Sequence, residues 1–433
     1  MVPHLTTALA GPINELEQRL LDATPVIERW FRLEWMEHTP PLYCSVDIRN
    51  AGFKLAPVQA NLFPDGWQNL SPDVLPLAAQ AAQAAIEKIC PEARNLLIVP
   101  ENGKPDAAYL ASLLRLREIF RLVGLHVRFG SIDPALKRSA AAALPGGDKL
   151  VLEPALRTRY RVGTKDFDPC TILLNNALAA GAPGILEDLH EQYLLPPLQA
   201  GWSVRRRSRH FQCYEEVSKR FGKLIGIDPW LVNPLLASGD PIDLSAPDGP
   251  QALAEQADAL LAKVRRKYKE YGIAEKPFVV IQPDQGGRGA GAAVVRDARQ
   301  LDPGARQPPR GKAAAVEPVA LPAGQVILQE GVPASERLQD AVAEPVVYTI
   351  DRYVVGGFYR LNAGQGEGHH EGDHAARCVP LAFAPAQSPA KLGAKTGASA
   401  PNRFYMYGVI SRLALVAASY ELEATDPEMM AGD

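Results

Sequence analysis

The stretch Pro277–Arg296, PFVVIQPDQGGRGAGAAVVR, combines a definite local structure with a definite chemical use. The β-branched run Phe278-Val279-Val280-Ile281 leads into a loop holding Gly286, Gly287, Gly289 and Gly291, and Val294-Val295 leads out of it. That order predicts strand, glycine flap, strand. Successive N–H groups freed of Cβ obstruction form a concave anion site of the kind that cradles phosphate, and Arg288 adds a positive charge. A bare glycine hairpin can equally be only a turn, so the remainder of the chain has to decide its use.

Working outward, 433 residues with 47% hydrophobic and 22% charged side chains describe a globular chain long enough for two or three cores. Net charge is -3 with a pI near 6.3, and the basic cluster Arg205-Arg206-Arg207 with Arg209 is too short to imply nucleic-acid binding. Cys44, Cys90, Cys170, Cys213 and Cys378 are odd in number and lack CxxC spacing, which argues against a disulfide framework or structural zinc and for a reducing cytoplasm. The N-terminus has no signal-peptide pattern and no apolar run is long enough to span a bilayer, so no membrane association is expected.

Upstream of the flap, apolar spacing predicts a helix over 12–37, a strand over Leu42–Ile48, and a polar loop rich in Arg49, Asn50, Lys54 and Asn61. A helix over 73–90, the strand Asn95–Pro100 ending in Glu101-Asn102, a helix over 106–123 and the strand Leu125–Gly130 alternate in the manner of a doubly wound parallel sheet, whose carboxyl edge takes ligands. A connector over 140–147, the strand Thr171–Leu174 ending in Asn175-Asn176, a helix over Ile185–Tyr193, a basic helix with Lys219, Arg220 and Lys223, and a helix over 251–271 follow. Those lysines either form a solvated face or meet phosphate. Downstream, strands are expected at 325–330, 345–351 and 353–360, the last two a hairpin, and a helix at 405–422. The segments 302–324 and 384–401 are Pro/Ala/Gly-rich and read as loosely ordered. Three blocks result: 1–140, an N-terminal α/β substrate domain; 141–276, a linker and helical part; and 277–433, carrying the flap.

Read together, DIRNAGFKLAPVQANLFPDGWQNL, VPEN, GLHVRFGSIDP, ILLNN, LHEQYLLPPLQAGWSVRRRS, CYEEVSKRFGKLIGIDPWLVNP, LQEGV, EPVVYTIDRYVVGGFYRLN and NRFYMYGVISRLALVAASYELE resemble, in number and order, the ATP-grasp type of glutamate-cysteine ligase found in proteobacteria. The resemblance covers nearly the whole chain. It implies an ATP-grasp fold with ATP between two β-layers under the flap. It also implies Mg²⁺ as helper, and joining of the glutamate γ-carboxylate to the cysteine amine through an acyl phosphate, the first step of glutathione synthesis.

On that resemblance Lys219, Lys223, Gln282, Gly286, Gly287, Gly289 and Glu330 would bind the nucleotide. Arg360, Asn362 and Arg288 would lie at the transferring phosphoryl group, where positioning and cations matter most, with Glu367 as a metal ligand. Arg49, Asn50, Lys54, Asn61, Glu101 and Asn102 would bind the amino-acid substrates. Departures are also plain: Gln282 stands where the family's flap carries lysine, Ala177 where its NND pattern has aspartate, and GEGHHEGDHA where it has a loop like GEDENLNAPG. They leave open a catalytically impaired paralogue that acts by binding. His369, His370, Glu371, Asp373 and His374 could alternatively hold a transition metal or form a solvated loop.

Overall fold

The computed structural model describes residues 5–6, 11–103, 106–143, 147, 149–286, 291–301, 319–362, 377–381 and 403–427. A short strand β1 (Leu5–Thr6) and helices α1 (Pro12–Asp22) and α2 (Thr24–Glu37) lead into the hairpin β2 (Tyr43–Asn50) and β3 (Leu55–Asn61). Next come α3 (Leu75–Ile89), β4 (Asn95–Pro100), α4 (Ala107–Leu122) and β5 (His126–Ser131). The central part runs β6 (Ala140–Ala143), β7 (Lys149–Pro154), β8 (Leu156–Thr158), β9 (Arg161–Gly163), β10 (Thr171–Asn175), β11 (Tyr193–Leu195), α5 (Arg207–Ile225), β12 (Ile242–Asp243) and α6 (Gly249–Glu270). The flap hairpin β13 (Val279–Pro283) and β14 (Ala293–Val295) precedes β15 (Gln325–Glu330), β16 (Arg337–Leu338), β17 (Ala341–Ile350), β18 (Tyr353–Asn362), β19 (Arg377–Pro380) and α7 (Phe404–Glu423).

Most expected elements are present, with two differences of local origin. The helix expected over 12–37 is two helices, because Pro25 has no N–H to give the Leu21 carbonyl; the Thr24 hydroxyl donates to that carbonyl instead, at 2.8 Å. The helix expected over Ile185–Tyr193 is absent: Asp188 and Glu191 have φ of 49° and 59°, left-handed conformations that a helix cannot contain, and the segment ends in β11.

Among the described residues the strands form three larger sheets. A six-stranded sheet has the order β11-β10-β4-β5-β7-β6, parallel except for β6. Its two faces enter different cores. Leu96 and Ile98 of β4 share a core with α3 and α4, whereas Leu97 and Val99 pack with Leu178, Leu186 and Ala200 of an irregular segment. A four-stranded sheet, β12-β15-β13-β14, lays Val279, Ile281, Val326 and Leu328 against Leu253, Leu260 and Val264 of α6.

The third sheet crosses the expected block boundaries. β17 pairs with β18 on one side and with β2 on the other, Val346 lying opposite Asp47, so residues of the first block complete a sheet built by the last. One face of it, with Val347, Tyr359 and Leu361, packs in the core that holds α7. On the other face Val346, Tyr348 and Phe358 pack in the core that holds Ala78, Ala81 and Ala82 of α3.

Candidate active site

Strand alternation and register create the site. Along β2 the side chains of Cys44, Val46 and Ile48 enter one core, so Ser45, Asp47 and Arg49 take the opposite face. Glu344 of β17 lies opposite Arg360 of β18, and directly opposed residues share a face. That face is apolar where α3 covers it and charged beyond, giving a row of Asp47, Arg49, Glu344, Arg360 and Asn362.

Each member holds another. Arg360 Nη1 donates to Asp47 Oδ2 at 3.0 Å, Arg49 Nη2 meets Glu344 Oε1 at 2.8 Å, and Asn362 Nδ2 donates to Glu344 Oε2 at 2.8 Å. Arg49 is buried and also donates to the Val332 carbonyl at 3.2 Å. Asp47 and Arg360 keep 23% and 22% of their side chains exposed, so the row is reachable. The negative charge of Asp47 holds the Arg360 guanidinium protonated far above its ordinary range.

Asn50 follows at the end of β2. Its Oδ1 accepts from the Gly52 N–H at 2.9 Å, while its buried Nδ2 has no hydrogen-bond partner among the described residues. A second orphan lies on β15. Val326 and Leu328 face α6, so Gln329 faces the other way; it is buried, its Oε1 accepts from Gln282 Nε2 at 3.2 Å, and its own Nε2 has no partner among the described residues. Buried donors left unmet are rare and point to an acceptor brought by something else.

Two expected ligand residues instead meet each other. Lys54, from the turn between β2 and β3, and Glu330, the last residue of β15, form a fully buried pair at 2.9 Å. Lys54 also donates to the Asn233 carbonyl at 2.9 Å. Glu330 accepts in addition from Trp230 Nε1 at 3.1 Å and from the Leu235 N–H at 3.0 Å. Burial lowers the Lys54 ammonium's affinity for its proton, and the Glu330 charge opposes that. The pair pins the β2–β3 turn to the four-stranded sheet, so an adenine or ribose contact by Glu330 would have to share an occupied carboxylate.

Other expected positions are dispersed. Lys219 is exposed and pairs with Glu215 and Glu216 of its own helix at 2.9 and 3.3 Å, and Lys223 is exposed near the helix end. Asn61 accepts from the Phe63 N–H at 2.9 Å, closing a turn. Glu101 accepts from the Ala177 N–H at 2.8 Å, tying the carboxyl ends of β4 and β10 together, while Asn102 is exposed. Gly287, Arg288, Gly289, Glu367 and the residues His369, His370, Glu371, Asp373 and His374 lie outside the described residues.

At the flap's base Gly286 has a packing role: a Cβ there would fall 2.4 Å from the Trp202 ring. The same corner is tied to the start of α5. The Ser208 N–H donates to Asp284 Oδ1 at 2.7 Å, placing a carboxylate where the helix's free N–H groups favour one, and Arg207 donates to the Pro283 carbonyl at 2.8 Å.

Asp47 and Glu344 were not singled out from the sequence. The alternation Ser45, Asp47, Arg49 carried a signal for the first; Glu344 precedes Pro345, where the strand was expected to begin.

Chemically, the row offers two fixed guanidinium groups, two carboxylates and an amide. Among the described residues no group of three or more His, Cys, Asp or Glu is placed to hold a metal ion. A magnesium ion that arrives with phosphates needs only one or two carboxylates.

A family model described as Glutamate-cysteine ligase matches residues 17–422. A crystal structure from Methylobacillus flagellatus KT, provisionally named a gamma-glutamylcysteine synthetase, is 49% identical, covers 98% of this chain and 100% of that one, and has a TM-score of 0.84. A glutathione synthetase-like effector from Globodera pallida, in apoform, is 11% identical over 83% of each chain with a TM-score of 0.39. No curated protein matches.

Proposed function

The chain belongs to the glutamate-cysteine ligase family, and from that premise we propose that it joins the glutamate γ-carboxylate to the cysteine amine with ATP and Mg²⁺, through an acyl phosphate. In this reading the fold is of ATP-grasp type, and the nucleotide lies between the β13–β14 hairpin and the layer of β15, β17 and β18.

The observation that carries the reading is the charge balance of the polar row. Asp47 and Glu344 neutralise Arg49 and Arg360, so a bare polyanion gains little there. A polyanion carrying its own divalent cation fits, the cation meeting the carboxylates and the phosphate oxygens meeting the guanidinium groups. When bound, ATP with Mg²⁺ supplies an activated phosphoryl group for a carboxylate that is otherwise a poor electrophile.

The chain's own residues then have separable tasks. Asp47 fixes the plane of Arg360, so that a guanidinium faces charge developing on the transferred group without reorganising. Glu344 accepts from Arg49 and Asn362 together and so links side chains of β2 and β18 across β17. The flap amides with Arg288 are the proposed phosphate cradle, Glu367 the proposed further metal ligand, and Glu101 with Asn102 the proposed substrate edge.

ADP release with Mg²⁺-ATP is expected to require both glutamate and cysteine. No ADP with either amino acid, alone or together, would overturn the proposal. A second reading, a member that binds without turnover, is favoured by Gln282: its neutral amide is engaged by Gln329 where the resembling flap carries lysine. It predicts nucleotide binding without ADP.

A further inference from the structure

Helix α2 buries Ile27, Phe31, Glu34 and Trp35 and turns its opposite side to solvent. On α1 the exposed side is Glu15, Gln18 and Arg19, all polar. On α2 it is largely apolar: Val26, Leu33 and Met36 are 47%, 49% and 76% exposed. With 3.6 residues per turn, Val26, Arg29, Trp30, Leu33, Met36 and Glu37 fall within about one third of the helix circumference. Trp30 is half-buried, its ring against Phe221 and below the Arg220 guanidinium of α5, each at 5.8 Å. Leu224, one turn further along α5, is exposed and widens the apolar surface.

The charges on this face select its occupant. Arg29 and Glu37 are exposed, and neither forms an ion pair among the described residues. They lie at equal distances along the helix on either side of Leu33. When a second α2 runs antiparallel with Leu33 on a two-fold axis, Leu33 meets its own copy, Trp30 meets the partner's Met36, and Arg29 meets the partner's Glu37. Two-fold symmetry repeats each unlike pair, which makes the face self-complementary. A parallel alignment would set Arg29 against Arg29 and Glu37 against Glu37, which like charges disfavour.

We propose that α2 is a self-association surface, through which two copies of this chain form a reversible antiparallel dimer with Leu33 at the axis. One helix face with Leu224 beside it stands at the small end of specific interfaces, so the dimer exchanges with monomer. Ile27, Phe31 and Trp35 enter the core that holds α7, and the polar row lies on the opposite face of the sheet that this core covers. The dimer therefore forms on the far side of that sheet from the row.

Sedimentation velocity of the full chain across a concentration series tests this, and wild type should show a monomer–dimer equilibrium. Arg29→Glu and Glu37→Arg should each weaken dimerisation roughly tenfold, because both ion pairs turn repulsive. The two substitutions together should restore it, since the reversed pair is again complementary. Leu33→Glu sets two carboxylates against each other at the axis and should leave only monomer. A wild type that is monomeric at every concentration would overturn the proposal, as would a dimer that survives Leu33→Glu, or a double reversal no tighter than either single one. All the altered side chains are exposed, and equal circular dichroism spectra across the variants exclude misfolding as the cause.

Discussion

Arg360 is the residue on which the proposed chemistry rests most directly. Removing one preorganised charge-stabilising group typically slows turnover about 10²–10³-fold. Arg360→Ala should therefore slow ADP formation by about that factor while lowering the thermal midpoint only by a few degrees, since its Asp47 partner is part-exposed. Near wild-type turnover would make Arg360 a structural ion-pair partner only. Gln282 presents a sharper case. It is buried and already paired with Gln329, so Gln282→Lys places an ammonium where no carboxylate is shown to meet it, and an unpaired buried charge is costly. The variant should melt below wild type without nucleotide and recover most of the difference at saturating Mg²⁺-ATP, because a charged partner contributes more than a neutral amide, roughly 1.5–3 against about 1 kcal/mol. A melting deficit that ATP leaves unchanged would move the phosphate away from position 282.

At the scale of the element, the β2–β3 turn is held by one buried ion pair. Breaking such a pair strands a charge and costs about 3–5 kcal/mol, whereas replacing both partners with apolar groups can be nearly neutral. Lys54→Met should lose about that much in chemical denaturation, and adding Glu330→Leu should restore most of it; additive losses would show that the two side chains act independently. Elements of this kind explain what the sequence made legible. Helices α3 to α7 and strands β4, β10, β13, β15, β17 and β18 follow from local periodicity and turn residues, and so did the flap hairpin. The pairing of Lys54 with Glu330, and of Arg49 with Glu344, joins residues far apart in the chain. No local pattern encodes which strand will lie beside which. The false helix at 185–193 has the opposite cause: its apolar spacing was suitable, but Asp188 and Glu191 take left-handed backbone conformations.

Across the whole molecule, α5, α7 and β3 meet at a buried triad. Arg205 donates to Glu421 at 2.8 Å and to the Ala60 carbonyl at 2.7 Å, and His210 Nδ1 lies 3.0 Å from Glu421 Oε2. Burial pushes His210 below its ordinary 6.5, with Glu421 opposing. Burial pushes Glu421 up, but the Arg205 charge and the His210 hydrogen bond outweigh it and hold the carboxyl below 4.5. Both depressed groups contribute stability above their unfolded values and lose it as pH falls through 6.5 and then 4.5. The thermal midpoint should therefore drop in two stages on acidification, and His210→Gln should flatten the first stage; an unaltered first stage would exclude His210 as its source. The strand pairing of Asp47 with Val346 has a consequence for biosynthesis. Its partners are about 300 residues apart, and at about 5–20 residues per second a ribosome takes roughly 15–60 s to deliver the second after the first. Throughout that interval β2 of the nascent β2–β3 hairpin keeps open the hydrogen-bonding edge that β17 later fills, which chaperones can cover and neighbouring nascent chains can capture. The polar row cannot exist until Arg360 has emerged, so the proposed catalytic face is among the last surfaces that translation completes.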